Sequence, residues 1–370
     1  MIKFGTEEMK LIRIRSVFGF LIKCAILISI IICSLMVCSF DLFSQQSGGG
    51  YAASWLRRDF SARTLGLAGA FTAIADDPNA IYYNPAGLSD LSNEPTFFSS
   101  VGLLGLGRTN STFAWGQAIV DDKVGFGIAL NNLYTGTFTA RDIRGDAMGE
   151  YSNYQYAIAA SASYKVAYSS FGITAKYLVE DLQGSETVAT GYSVDFGALF
   201  NLFDIVKLGV QVQNASGFMF WNTAHSDIMN LPWVVKVGAA YSTYTSFIPY
   251  YDRSTVTGEL VTEGDYSNIL TLGFDIVYAQ YSVAPQVIIG AEYQAHQYLT
   301  FRAGLGIYGD VWGKPQLFPM NNWGAGLSIF PDIDALNDIL PFNYSIDYTI
   351  SRERINVSGI NHSLGINIRF

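Results

Sequence analysis

"KVGFGIALNN", residues 123–132, places Val124, Phe126, Ile128 and Leu130 on one side of an extended chain and Gly125, Gly127, Ala129 and Asn131 on the other. Successive side chains of a strand point to opposite faces, so this is a strand with two unlike faces. A soluble β-sandwich or β-helix would carry Lys and Glu on its wet face. Here the second face is small and neutral. The pattern recurs in "FNYSIDYTI" (342–350) and in the closing "HSLGINIRF" (362–370).

Such segments are expected to begin near Thr96, Ser111, Val124, Tyr151, Phe171, Val188, Ile205, Pro232, Ile269, Gln286, Leu299, Asn322, Phe342 and Gly359. Most run about ten residues, the length of a tilted strand crossing a bilayer. An even set of antiparallel strands, apolar outside and small or polar inside, describes an all-β transmembrane barrel of about 14 strands. The bilayer forces closure, because an open sheet edge would leave backbone N–H and C=O groups unpaired in hydrocarbon.

Composition agrees. Half of the 370 residues are apolar and only 14% are charged, too few to cover a large soluble protein. The net charge of −9 and the absence of a basic run exclude nucleic acid as a partner. Residues 1–44 read as a signal peptide. Lys3, Lys10, Arg13, Arg15 and Lys23 precede or open an apolar run, "CAILISIIICSLMV" (24–37), that is short for a membrane helix. The other reading is an uncleaved anchor beginning at Val17. Cys24, Cys33 and Cys38 all lie in this part, so cleavage after Ser44 leaves no disulfide or thiolate metal site. No metal or cofactor is expected.

Connections alternate in length. "VDDK" (120–123), "AYSS" (167–170) and "NLFD" (201–204) are tight, as periplasmic turns are; 134–150, 181–187 and 215–231 read as longer extracellular loops. The stretch 243–267 breaks the rule, as an insertion on the periplasmic side or a misread strand pair. The 215–231 loop carries Phe218, Phe220 and Trp221, either a contact surface for a protein or apolar ligand, or part of the outer aromatic girdle.

Residues 45–93 precede the first strand and differ from everything after it. In "SARTLGLAGAFTAIADDPNAIYYNPAGLSDL" (61–91), Asp77-Pro78 and Asn84-Pro85 each set an N-cap residue before a proline, predicting two very short helices or turns. Gly66, Gly69 and Gly87 permit close backbone approach. Such a kinked piece is expected to pack in the barrel lumen as a hatch, giving a division into 1–44 signal peptide, 45–93 hatch and 94–370 barrel.

This motif resembles the N-terminal signature of the PorV/PorQ family, whose shape is roughly "alG-mGGAf-AvADDasA-yyNPAGLa". It matches at Gly66, Gly69, Asp76, Asp77, Asn84, Pro85, Ala86 and Gly87, with Ala68 standing where Gly is usual. The last strand, ending on the aromatic Phe370, is similar too and marks the membrane-insertion terminus. The wider FadL-type outer-membrane transport superfamily shares the weaker "ADD…NPA" core. The resemblance implies a FadL-like barrel in the outer membrane with its hatch in the lumen. It also implies an accessory or shuttle role in type IX protein secretion, with a translocon and secreted proteins bearing C-terminal sorting domains as partners. The alternative it implies is passive transport of hydrophobic small molecules.

Charges at inward strand positions include Lys176, Glu180, Asp195, Lys207, Lys236, Asp275, Glu292, Arg302, Asp347 and Arg369. They read as a lumen ion-pair network or as a path for polar solutes. Asp76 and Asp77 read as a pair that binds a cation, or with Asp77 capping a turn and Asp76 meeting a lumenal base. No continuous apolar groove stands out on the inward face. His225, His296 and His362 are scattered, with no catalytic constellation, so no enzyme is expected.

Overall fold

The computed structural model describes residues 52–120, 123–185, 187–202, 205–223, 228–245, 247–253, 260–266, 268–280, 282, 285–307, 322–330, 343–352 and 359–370. The signal-peptide reading of 1–44, Phe342 and His225 lie outside them. The strands are β1 (Thr96–Gly105), β2 (Arg108–Ile119), β3 (Val124–Arg141), β4 (Ala147–Val166), β5 (Ser169–Gln183), β6 (Thr187–Leu202), β7 (Val206–Trp221), β8 (Met229–Asn230), β9 (Val234–Tyr244), β10 (Phe247–Arg253), β11 (Leu260–Tyr266), β12 (Ile269–Ala279), β13 (Gln286–His296), β14 (Leu299–Ile307), β15 (Trp323–Ile329), β16 (Asn343–Arg352) and β17 (Asn361–Arg369).

Fourteen of them close an antiparallel ring: β1 to β7, β9, and β12 to β17. Closure comes from β1 against β17, with Thr96 opposite Arg369 and Leu103 opposite His362. The short β8 pairs only with the upper part of β7. The alternation read from sequence is the alternation of burial. Phe126, Ile128 and Leu130 are exposed on the outer face, as are Val101, Phe171, Ile173 and Leu364, while Ala129 and Asn131 are buried inside. In water this outer surface would be unfavourable by about 25 cal/mol per Å², so lipid is its natural solvent.

Outward aromatics gather near both ends of the barrel. Tyr134 and Tyr154 lie 4.7 Å apart, and Tyr177, Tyr192 and Phe218 follow at 5.2 and 6.2 Å. At the other end Phe97 meets Phe370 at 5.6 Å and Phe113 at 6.3 Å. These are the two aromatic girdles of a membrane barrel.

The strand starts differ from the expected ones by four residues at most, but the expected long loops are largely strand. β3 and β4 run for 18 and 20 residues and β5 to β7 for 15 or 16, against 7 to 12 for the rest of the ring. Crossing the bilayer takes about 9–11 residues, so β3–β7 stand above it as a tall wall. There both faces are wet, and the alternation that marks a strand in sequence fades. Phe218, Phe220 and Trp221 therefore sit in β7 rather than in a loop. The stretch 243–267 contains a separate hairpin, β10 with β11, which pairs with no ring strand.

Residues 52–91 lie within the ring. They form a 3-10 turn at Ser54–Arg57, helix α1 (Ala62–Gly66), helix α2 (Ala80–Tyr83) and a second 3-10 turn at Pro85–Asp90. The wall admits them through glycine. Gly273, Gly290, Gly304 and Gly324 stand in one row across β12–β15, and a Cβ on each would meet Ala70, Leu67 or Leu65 backbone. Across the lumen, Gly172 and Gly197 stand opposite each other against Pro85.

Gly324→Ala, which drives a methyl into the Leu65 carbonyl, is expected to lower stability in urea unfolding by about 1–3 kcal/mol, the usual cost of overpacking. Ala160→Leu on the exposed outer face is expected to change it little.

Candidate functional site

The inner segment has no partner of its own kind, so the wall supplies its hydrogen bonds. The Asp275 carboxylate accepts from the backbone N–H groups of Phe71 and Thr72, both at 3.0 Å. Ser100 Oγ accepts from Ala62 N at 3.1 Å, and Thr349 Oγ1 donates to Ala62 O at 2.7 Å. Thr174 donates to Ile81 O, and Gln211 and Gln213 both donate to Tyr82 O. Buried backbone groups must be paired, and here six side chains on five wall strands do it.

Asn84 ties two structures together. Its Oδ1 accepts from Ala86 N at 3.2 Å, capping the turn that begins at Pro85. Its Nδ2 donates to Thr72 O at 2.8 Å and to Ala198 O of β6 at 3.0 Å. Gly87 and Ala75 pack so closely that a Cβ on Gly87 would overlap the Ala75 carbonyl. Gly66 rests on Arg302 and Thr349, and Gly69, at φ +94°, faces the Asp59 carboxylate. Asp77 Oδ1 accepts from Asn79 N at 2.8 Å, closing the turn before α2.

The base that meets Asp76 is Arg63 of α1, not a residue of the wall. Its Nη1 lies 2.6 Å from Asp76 and 2.8 Å from Asp77, and its Nη2 lies 3.0 Å from Glu292. The guanidinium also sits 5.2 Å from the Phe71 ring centre. From Glu292 the chain of charge continues to Arg302, and from Arg302 to Asp347 at 2.9 Å and to Ser328. Both partners of every link are partly or wholly buried except Asp76, so the ladder holds α1 to β13, β14, β15 and β16. Arg63 lies outside the strands, where no alternation marks a charge as inward. The i and i+13/14 spacing to Asp76 and Asp77 within one motif was the available signal.

A second group lies on the tall wall. Lys176 Nζ is 2.8 Å from Asp195, and both are almost fully buried. Asn214, at φ +51°, fits a bulge in β7 by giving its N–H to Asp195 and its side-chain N–H to Pro232 O. Lys236 makes no ion pair among the described residues; its Nζ lies 5.1 Å from the Tyr83 ring centre. Arg369 does not join the network either. It is exposed at the end of β17 because the lumen opens there. Phe218 and Phe220 face outward, and Trp221 packs partly buried against the interior cluster.

At the tight-turn end, Asp90 lies 2.7 Å from Lys165 and 2.9 Å from Lys207. Burial opposes its charge, but Lys207 and Lys165 outweigh that and hold its carboxyl below the usual range. A group with a lowered folded pKa stabilises fully above its unfolded value, near 3.9, and loses that contribution as pH falls through the folded one. Asp90→Asn is expected to cost about 1 kcal/mol at pH 7, and nothing once pH is well below 3.9, in urea unfolding at the two pH values. Ala68 occupies φ +53°, a region that suits glycine. Ala68→Gly is therefore expected to hold or raise stability by up to about 1 kcal/mol in the same assay.

No family model matches this sequence, and no curated protein does. Solved structures do. A Pseudomonas aeruginosa FadL homologue superposes with a TM-score of 0.52 at 11% identity, over 84% of this chain and 98% of its own. The Ralstonia pickettii toluene transporter TbuX gives 0.53 at 12% identity, over 84% and 98%. The Pseudomonas putida toluene transporter TodX gives 0.50 at 11%, over 84% and 97%. The chain has the fold of the FadL-type outer-membrane barrels.

Proposed function

We propose that this protein is a passive outer-membrane transporter of hydrophobic small molecules, exported by residues 1–44, with residues 45–93 as a hatch inside the barrel 94–370. The observation that carries this reading is the buried apolar cluster of the lumen, which joins wall strands to the inner segment. Leu104, Leu133, Leu178 and Met219 come from four wall strands, and Trp55 and Leu56 come from the inner segment. Spread over β1, β3, β5 and β7, these residues share one cluster only after closure. An apolar lining with few polar groups is the usual make-up of a site for an apolar molecule. The likeness to two toluene transporters supports the same class of cargo.

The accessory role in type IX secretion rests on the motif alone. Uptake of radiolabelled toluene into cells is the direct test. Deletion of the gene is expected to slow uptake, and restoring the wild-type chain to recover it. Asn84→Ala, which removes three hydrogen bonds of the hatch, is expected to raise ion conductance in planar bilayers. Unchanged uptake after deletion, with secreted proteins copurifying with the barrel, would return the secretion reading to first place.

A further inference from the structure

On the inner face of the tall wall, Gln155, Glu180, Ala189 and Trp221 stand side by side in register on β4, β5, β6 and β7. Glu180 Oε1 accepts from Asn153 Nδ2 at 2.8 Å and from Gln155 Nε2 at 2.9 Å. A carboxylate only accepts, so both amides must turn their NH₂ groups toward it, which fixes where their carbonyl oxygens point. Asn153 Oδ1 and Gln155 Oε1 are buried and have no hydrogen-bond partner, and Gln155 is only 8% exposed. Among the described residues no donor meets Glu180 Oε2 and no base pairs with Glu180. Lys176, four residues back on the same face of β5, is already held by Asp195 and Asn214.

The site therefore offers three oxygen acceptors, Glu180 Oε2, Asn153 Oδ1 and Gln155 Oε1, with no cation paired to them. An unpaired buried acceptor costs about 1–3 kcal/mol, so Asn153 Oδ1 and Gln155 Oε1 favour a ligand that brings donors. The floor beside it is apolar, with Leu178 and Met219 fully buried. Ala189 stands between Glu180 and Trp221 in register. A primary ammonium carries three N–H donors and one positive charge, and matches this set. A quaternary ammonium would leave the amide oxygens unpaired. A calcium ion takes six to eight oxygens and is rarely held with a single carboxylate.

We propose that this site binds the primary ammonium group of a molecule with an apolar body. The ammonium sits on Glu180, Gln155 and Asn153, and the body lies toward Trp221. Recognition of this kind stands whether or not the barrel then conducts the molecule inward. The test is calorimetric titration of the full chain in lipid nanodiscs with 2-phenylethylammonium, 2-phenylethanol and calcium chloride. Saturable binding of the amine is expected, with the alcohol weaker by roughly 10- to 100-fold, the worth of charge-assisted hydrogen bonds. Glu180→Gln, checked for folding by heat-modifiable gel mobility, is expected to weaken the amine by a similar factor. Equal binding of amine and alcohol, in the wild-type chain alone, would overturn the proposal. So would stoichiometric calcium binding that displaces the amine, or a folded Glu180→Gln variant with unchanged affinity.

Discussion

Every backbone N–H and C=O in the hydrocarbon must find a partner inside the protein, and the rest of this structure follows from that constraint. It forces fourteen strands to close rather than end in edges. A ring of eight strands can be filled by its own side chains, but a ring of fourteen cannot. The width that closure creates is taken up by residues 52–91, whose side chains are mostly buried. That solution moves the problem inward, because the filling segment brings its own polar backbone. Asp275, Ser100, Thr174, Gln211, Gln213 and Thr349 are the answer: wall side chains acting as the missing secondary structure.

Glycine belongs to the same solution. A wall of ordinary side chains would hold the segment several ångströms away, out of reach of those short donors and acceptors. Stripped to glycine along β12–β15, the wall lets Leu65, Leu67 and Ala70 approach to backbone contact. Glycine weakens a strand by about 0.5–1 kcal/mol relative to alanine. The direct packing and the hydrogen bonds it allows offset that loss.

The strands were legible because lipid outside and a crowded lumen inside impose opposite demands on alternate residues, as in Val124 to Asn131. The capped turns at Asp77 and Asn84 were legible because an Asx-Pro step encodes its own local geometry. Legibility failed where neither condition held. Above the bilayer, 137–141 and 147–150 face water on both sides, so strand looked like loop. Arg63 lay hidden because an ion ladder is a fact of tertiary placement: its Glu292 partner is 229 residues away. Arg369 has the right parity for the network but the wrong height, and height along a barrel axis is not written in a two-residue period.

The inward carboxylates differ in a way that ranks them. Asp195, Glu292 and Asp347 each meet a cation, and Asp275 accepts two backbone N–H groups. Removing any of them would strand a cation or a backbone donor, which is how structural charges behave. Glu180 is bound only by two neutral amides, and binding it leaves their carbonyl oxygens unpaired. A purely structural residue at that position would be better as glutamine or leucine, since neither would need a counter-charge. Among the described residues Glu180 meets no cation, and that separates it from the ladder that anchors α1.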